Sequence, residues 1–459
     1  MILLPVILTI LLLLSPGGNA YPASAPVPHA NAINPAGSQR EALAAFKKGR
    51  FDQVVRLLET FPPEQDLPRE LLKIGVESYV KVGRPETAFK TYLKFIPSGQ
   101  PDDPRLLREI ATAFVTNHVR GPEEYVRIAA YTVLRDGADP LMTSVLEDGL
   151  FDSSALVRAL AAEGLGRALA ATKSLKPSSA LTALKRALQD PAPAVRIAAI
   201  NALSDTGDQS IIDILRRIAR SDEGALPVFA SAALVKLGQT EAFDDILSTA
   251  TLPDRNARMA AIGLLGRLKL PRGFSTLSQS VYDPEPSVRA FAAGALGEFG
   301  TPESAAPLTH AVGDEDPRVR SIAAASLGRL QLPHARPLLW QAAKDPVDFV
   351  RAGAVEGLLR IGDSEASLVA RELSKHADPS IRGAVAQAIG LSRYKQGVPL
   401  LDLLRQDLQP QPRLMAARAL GRMARRETLP VLKPMLQDSD TAVRVTAAGS
   451  LLQVLRQPK

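Results

Sequence analysis

One period organises most of this chain. Arg196, Arg258, Arg289, Arg320, Arg351, Arg382, Arg413 and Arg444 follow one another in steps of 31 residues, with Pro227 standing in one slot. Arg127 and Arg158 have the same spacing, and seven extra residues around ATKSLKPSS (171–179) separate them from the later series. Three residues after the arginine stands Ala (130, 161, 199, 230, 261, 292, 323, 354, 416, 447), with Val385 the exception. Seven after it stands Leu (134, 165, 203, 234, 265, 296, 327, 358, 420, 451), with Ile389 the exception. A period of this length means that one small supersecondary unit is copied and stacked on itself.

The spacing within each copy predicts a helical hairpin. Asp-Pro before the arginine reads as the opening of a helix, with Asp near the N-cap and Pro in the first turn. Positions −1, +3, +7 and +10 around the arginine share one apolar helical face. Gly207, Gly238, Gly300 and Gly362 stand eleven after the column, where a left-handed C-cap suits glycine. A second amphipathic stretch follows, as in DQSIIDILRRIAR (208–220) or ESAAPLTHAV (303–312). One such hairpin cannot bury its own apolar face, so stacking must complete the core. The expected fold is all-α: a right-handed α-solenoid of about eleven hairpins.

Two other columns carry structural expectations. The Ala at +3 marks the closest approach between helices. Positions +5 and +8 are often Gly, Ala or Ser (Gly263, Gly294, Ala325, Gly266, Gly297, Gly328, Gly390, Gly421). They are expected to point outward, toward the crowded inner side of a curved array. Asp lies six before Arg in most copies, so stacking in register brings carboxylates beside guanidinium groups of neighbouring repeats. This predicts a structural ladder of Asp190, Arg196, Asp283, Arg289, Asp314, Arg320, Asp345, Arg351, Asp438 and Arg444.

The pattern D-x-x-x-x-V-R-x-x-A-x-x-x-L-G resembles the HEAT repeat, in the short variety also found in phycobilisome-lyase-type HEAT-like proteins. The resemblance covers about residues 119–459. It implies that the Val-Arg helix lines a concave surface and that this surface binds protein. Departures stand at Leu226-Pro227, Leu252, His376 and Pro412. Residues 39–118 follow another rule: EALAAFKKGRFDQVVRLLE and YVKVGRPETAFKTYLKF align with Gly49 and Gly83 thirty-four apart. That spacing is similar to tetratricopeptide repeats, and a generic helical cap remains the alternative.

The first fifteen residues, MILLPVILTILLLLS, are nearly all apolar, and small residues follow to Ala20. They read as a secretory signal (1–20) cleaved after about Ala20, although no basic residue precedes the apolar run. Export to the periplasm or medium is therefore expected, with an uncleaved membrane anchor as the alternative. Residues 21–38 are Pro/Ala-rich and read as a flexible leader. The chain has no Cys, which excludes disulfides, Cys-ligated zinc and thiol chemistry.

Nothing in the sequence marks an active site. The five histidines (His29, His118, His310, His334, His376) are scattered, and none is followed by Glu. The His-Glu metal motifs of deoxyhypusine hydroxylases, which have HEAT-like repeats, are thus missing, as are phosphate-binding loops and nucleophile elbows. No catalytic, cofactor or metal residue is expected. Charge is more informative. Residues 393–459 hold twelve Lys/Arg and five Asp/Glu, an excess equal to the net +7 of the whole chain. A basic column lies nine after the ladder arginine, and Arg418, Arg422 and Arg425 read as one helical stripe. Arg267, Arg329, Arg360, Arg418, Arg422 and Arg425 are the candidate partner-binding residues. An acidic protein or anionic envelope component fits them; missing aromatics beside them disfavour nucleic acid. The expected function is a non-enzymatic, exported scaffold that binds a protein partner at the cell envelope. The alternatives are a bilin-lyase-like enzyme or accessory, and a binder of an anionic polymer.

Overall fold

The computed structural model describes residues 35–62, 65–97, 99–172, 178–221 and 224–456. The signal reading (1–20) and most of the leader lie outside these residues. The chain divides into two compact units, Met1–Ala113 and Phe114–Lys459. Among the described residues there is no strand, so the protein is all-α.

In the first unit, helices Pro35–Lys47, Phe51–Leu58, Arg69–Lys81 and Pro85–Phe95 pack as successive hairpins. The helix starts at Pro35, so the predicted leader ends earlier than residue 38. Both hairpin turns pass through left-handed glycines, Gly49 at φ 68° and Gly83 at φ 72°. The core is aromatic: Phe89 and Tyr92 are buried and stack with ring centroids 6.3 Å apart. The Tyr92 hydroxyl donates to Asp102 at 3.0 Å and accepts from the Asp103 N–H at 2.9 Å, which satisfies a polar atom that burial would otherwise strand.

Among the described residues the second unit contains eleven long helices, one for each copy of the repeat. They are α1 (Glu124–Gly137), α2 (Ala155–Thr172), α3 (Pro193–Thr206), α4 (Leu226–Lys236), α5 (Arg255–Leu268), α6 (Pro286–Phe299), α7 (Pro317–Arg329), α8 (Asp348–Arg360), α9 (Pro379–Ser392), α10 (Pro410–Met423) and α11 (Thr441–Leu455). A shorter helix follows each of the first ten and packs against the long helices on one side only. The long helices pack edge to edge in chain order, each against the next. Their apolar positions are buried as the spacing requires: Val288, Ala292, Leu296 and Phe299 in α6 are all within the core.

The small residues at +8 sit in these helix-to-helix contacts rather than pointing outward. A Cβ placed on Gly266 would lie 2.8 Å from the backbone of Ala295 in the next long helix, and one on Gly390 would lie 2.6 Å from Ala419. The physical reason is helix spacing: long helices that touch along their length need small side chains where the backbones meet. The helix starts also differ from expectation. The ladder Asp lies two residues before the N-cap, and its carboxylate accepts the backbone N–H two residues on, as Asp314 does from Asp316 at 2.8 Å. In α3 and α6 the first-turn proline is not that of the ladder Asp-Pro pair but Pro193 or Pro286, whereas Asp316-Pro317 and Asp378-Pro379 open α7 and α9 with Asp at the N-cap and Pro in the first turn, as expected.

The eleventh long helix packs along the first. Gly449 of α11 meets Val133 of α1, where any Cβ would collide with the valine side chain. Arg456, just past α11, donates to the carbonyl of Gly137 and, at 2.9 Å, to Asp139. The unit is therefore an α-solenoid whose ends meet, a closed ring of eleven long helices with the shorter helices outside. Closure supplies both terminal helices with a neighbour, so the apolar sides that an open solenoid must cap are buried against each other.

Candidate functional site

Three features of the ring could meet a partner: the ladder, the edge that carries it, and the inner wall.

The ladder is built from one guanidinium per rung. Arg289 Nε donates to Asp314 Oδ2 at 2.7 Å, and its Nη2 donates to Oδ1 at 2.9 Å. Its Nη1 donates to the carbonyls of Asp283 and Pro284 in its own repeat, at 3.0 and 3.2 Å. The rungs Arg127–Asp152, Arg158–Asp190, Arg258–Asp283, Arg320–Asp345, Arg382–Asp407 and Arg413–Asp438 have the same geometry, each linking a repeat to the next. The pairs are sheltered: the Arg289 side chain is 10% exposed and that of Asp314 6%. The bonds from Arg158 and Arg382 hold the Asp190 and Asp407 carboxyls below the usual range. Such bidentate, charge-assisted pairs occupy the guanidinium donors, so these rungs join repeats and are not open to an anionic partner.

Three rungs differ. Arg196 donates to the carbonyls of Asp190 and Pro191 in its own repeat. Arg351 bonds Asp348 at 2.9 Å and Glu372 at 2.7 Å, because His376 stands where the next Asp would be. Arg444 belongs to the last repeat and bonds the Asp438 carbonyl and the Thr441 hydroxyl.

The edge carrying the ladder also carries apolar side chains that the repeat pattern does not call for. Leu408 is 94% exposed, Phe151 71% and Tyr282 63%. Leu252, Val347 and Phe349 are exposed on the same edge. Each lies in the turn or first helical turn leading into a long helix, except Tyr282, which ends the short 3-10 helix Ser280–Tyr282 and whose ring lies 4.4 Å from that of His310. These residues were missed by a search for charge and catalytic motifs. The signal was present: large apolar residues flank ladder aspartates in a loop that has no core to fill, and Leu252 replaces one of those aspartates.

The inner wall of the ring holds positions +5 and +9 of the long helices, opposite the face that packs on the shorter helices. Five of the candidate partner-binding arginines lie here: Arg267, Arg329, Arg360, Arg418 and Arg422. Arg425 does not, because α10 ends at Met423 and Ala424 takes a left-handed conformation at φ 51°. The predicted three-arginine stripe therefore has two members, and Arg425 lies 3.5 Å from Glu427 in the following turn. Along the wall most cations have a carboxylate. Arg135 pairs with Asp136 and Glu163, Arg167 with Asp136, and Lys236 with Asp205. Glu356 serves Arg360 at 3.0 Å and Arg329 at 4.0 Å. Arg267 stacks over the Phe229 ring and lies in the field of Glu298. Arg418 and Arg422 make no hydrogen bond or ion pair among the described residues. Withdrawal from water and the neighbouring Arg422 charge pull the Arg418 guanidinium down to about 10.

The family model for HEAT repeats matches residues 143–227, 274–358 and 397–459, just over half of the chain. No curated protein matches the sequence. Among solved structures, the chain is similar to YibA of Escherichia coli, at 17% identity and TM-score 0.35, over 63% of this chain and 95% of that one. It is also similar to the complex of CpcE and CpcF of phycocyanin lyase from Nostoc, at 18% identity and TM-score 0.37, over 52% of this chain and 94% of that one. Human deoxyhypusine hydroxylase is similar at 20% identity and TM-score 0.30, over 55% of this chain and 96% of that one.

Proposed function

This chain belongs to the HEAT-repeat family, and from that premise we propose that it is an exported scaffold that works by binding a protein, without chemistry of its own. The observation that carries this reading is the row of exposed apolar side chains on the ladder edge. Phe151, Tyr282 and Leu408 stand out next to Asp152, Asp283 and Asp407, which are held in sheltered ion pairs with Arg127, Arg258 and Arg382. Large apolar and aromatic groups held on a rigid frame lose little entropy on docking, which is how protein-binding hot spots work. HEAT repeats commonly mediate protein interactions, and affinity spread over several repeats suits such an edge. Export rests on the apolar N-terminal sequence, and the cell envelope is the proposed place of action.

The test is photocrosslinking in cells from single probe residues placed at Phe151, Tyr282 or Leu408, compared with Leu368 and Leu403 on the outer helices. One protein adduct formed from the edge sites, and abolished by F151S/Y282S/L408S in a fourth-site probe, is expected. Equal adducts from the outer sites would remove the edge as the docking surface. Fractionation of the same cells tests export: retention in the cytoplasm ends the envelope assignment.

A further inference from the structure

The inner wall has one place where its charge is not balanced. Arg418 and Arg422 lie one turn apart on α10, so both point the same way from one helix face. The two neighbouring long helices offer them no carboxylate. On α9 the matching positions are Gln387 and Leu391; on α11 they are Gly449 and Gln453. The next acids along the wall are committed already: Asp136 on α1 serves Arg135 and Arg167, and Glu356 on α8 serves Arg329 and Arg360. The two guanidinium groups repel each other across one helical turn and are half-buried; neither has a direct partner, although the field of Asp136 reaches both and that of Glu356 reaches Arg422, against the like charges of Arg135 and Arg360. An unpaired cation pair in a concave, partly dehydrated wall costs stability unless an anion completes it.

We propose that the inside of the ring binds a phosphate-type oxyanion, either free phosphate or the phosphoryl group of a small molecule, between Arg418 and Arg422 next to the seam where α11 meets α1. Two guanidinium forks one turn apart can each offer paired N–H donors to a tetrahedral dianion. The half-buried amides of Gln387 and Gln453, on the flanking helices, can add neutral donors. Desolvation, together with the Arg422 charge, already holds the Arg418 guanidinium down to about 10, and a bound dianion reverses that shift.

The experiment is calorimetric titration of the full chain with inorganic phosphate and, separately, with phenyl phosphate, at fixed ionic strength with chloride as the balancing ion. One site per chain is expected. R418Q and R422Q should each weaken it by roughly tenfold or more, as loss of charged hydrogen bonds does. R418K/R422K, which keeps the charge and loses the forks, should weaken it by a smaller factor, and R272Q on an outer turn should leave it unchanged. Tighter binding of phenyl phosphate assigns the site to a phosphorylated small molecule, and tighter binding of phosphate assigns it to the free ion. Absence of binding to both, or binding that persists in R418Q/R422Q, overturns the proposal. The lysine variant keeps the test decisive if the glutamine variants fail to fold.

Discussion

Arg456 and Asp139, 317 residues apart in sequence, are held in one ion pair at 2.9 Å, and that pair marks the seam at which the last repeat meets the first. Because the protein has no cysteine, the seam can be probed without background. In D139C/R456C, a short-arm bismaleimide should join the two positions in high yield under native conditions. Gly449→Val, which drives a side chain into Val133, should reduce that yield and lower the melting temperature. A wild-type-like melt together with no crosslink in the glycine-retaining protein would show an open solenoid.

The ladder predicts an asymmetric cost. Asp407→Asn keeps the shape but leaves the Arg382 charge, 14% exposed, without its carboxylate. Loss of one partner from a sheltered pair costs about 3–5 kcal/mol. Replacing the exposed pair of Arg272 and Asp244 should cost under about 1 kcal/mol. Urea denaturation of both variants checks the contrast, and equal midpoints would mean that the ladder is ornamental.

Eleven residues after the ladder position the chain turns left-handed in most copies, whether or not glycine is present, while α2 and α11 run on as helix through Leu169 and Leu455. Gly207 and Gly300 do so at φ 77° and 78°, but Ala138, Lys269, Arg393 and Ala424 do so too, at φ 47° to 53°. An L residue with a Cβ is strained there by about 1 kcal/mol. Ala424→Gly should therefore stabilise the protein by about 0.5–1 kcal/mol, after the extra freedom of glycine in the unfolded chain is offset. Unchanged or reduced stability in denaturant melts would refute the strain.

The core columns make a simpler prediction. Leu327 is 1% exposed within α7. Leu327→Ala should cost roughly 2–5 kcal/mol through the cavity it leaves. A change below about half a kcal/mol in denaturant melts would remove this column from the core.

How much of this was legible in the sequence follows from what local patterns encode. Helix positions, the left-handed turns and the register of Asp with Arg all depend on residues close in sequence or one repeat apart, so the 31-residue spacing carries them. Closure depends on two helices at opposite ends of the array, and no repeat-to-repeat rule speaks about that contact. A sign of it was still present. The last long helix, TAVRVTAAGSLLQVL, has one charged residue, Arg444, and is buried around most of its circumference. The final helix of an open solenoid needs a polar outer side. The basic column was visible as spacing alone, but the sequence could not say which members share a carboxylate. That needed the wall in three dimensions, where Glu356 takes two arginines and the pair on α10 is left over.

The ladder also sets a pH dependence, and its sign follows from the carboxyl shifts. The Arg158 and Arg382 bonds lower Asp190 and Asp407. Asp152 and Asp345 are opposed by desolvation and still end below their ordinary value through Arg127 and Arg320. Asp316, which caps α7, falls furthest, to about 2, chiefly through the Arg318 side chain. An unfolded Asp titrates near about 3.9. A carboxyl whose folded value is lower contributes stability that is complete above the unfolded value and is lost as pH falls through the folded one. Stability attributable to these groups should thus be level from pH 7 to about pH 5 and then decline steeply from about pH 4 toward pH 2. In R382Q, which frees Asp407 from its partner, the acid decline should be shallower and the neutral stability lower. Urea midpoints measured at pH 7, 5, 4 and 3 separate the cases. A wild-type midpoint that stays constant down to pH 3, or an R382Q curve parallel to it, would show that the ion pairs bridging the repeats do not hold the ring together.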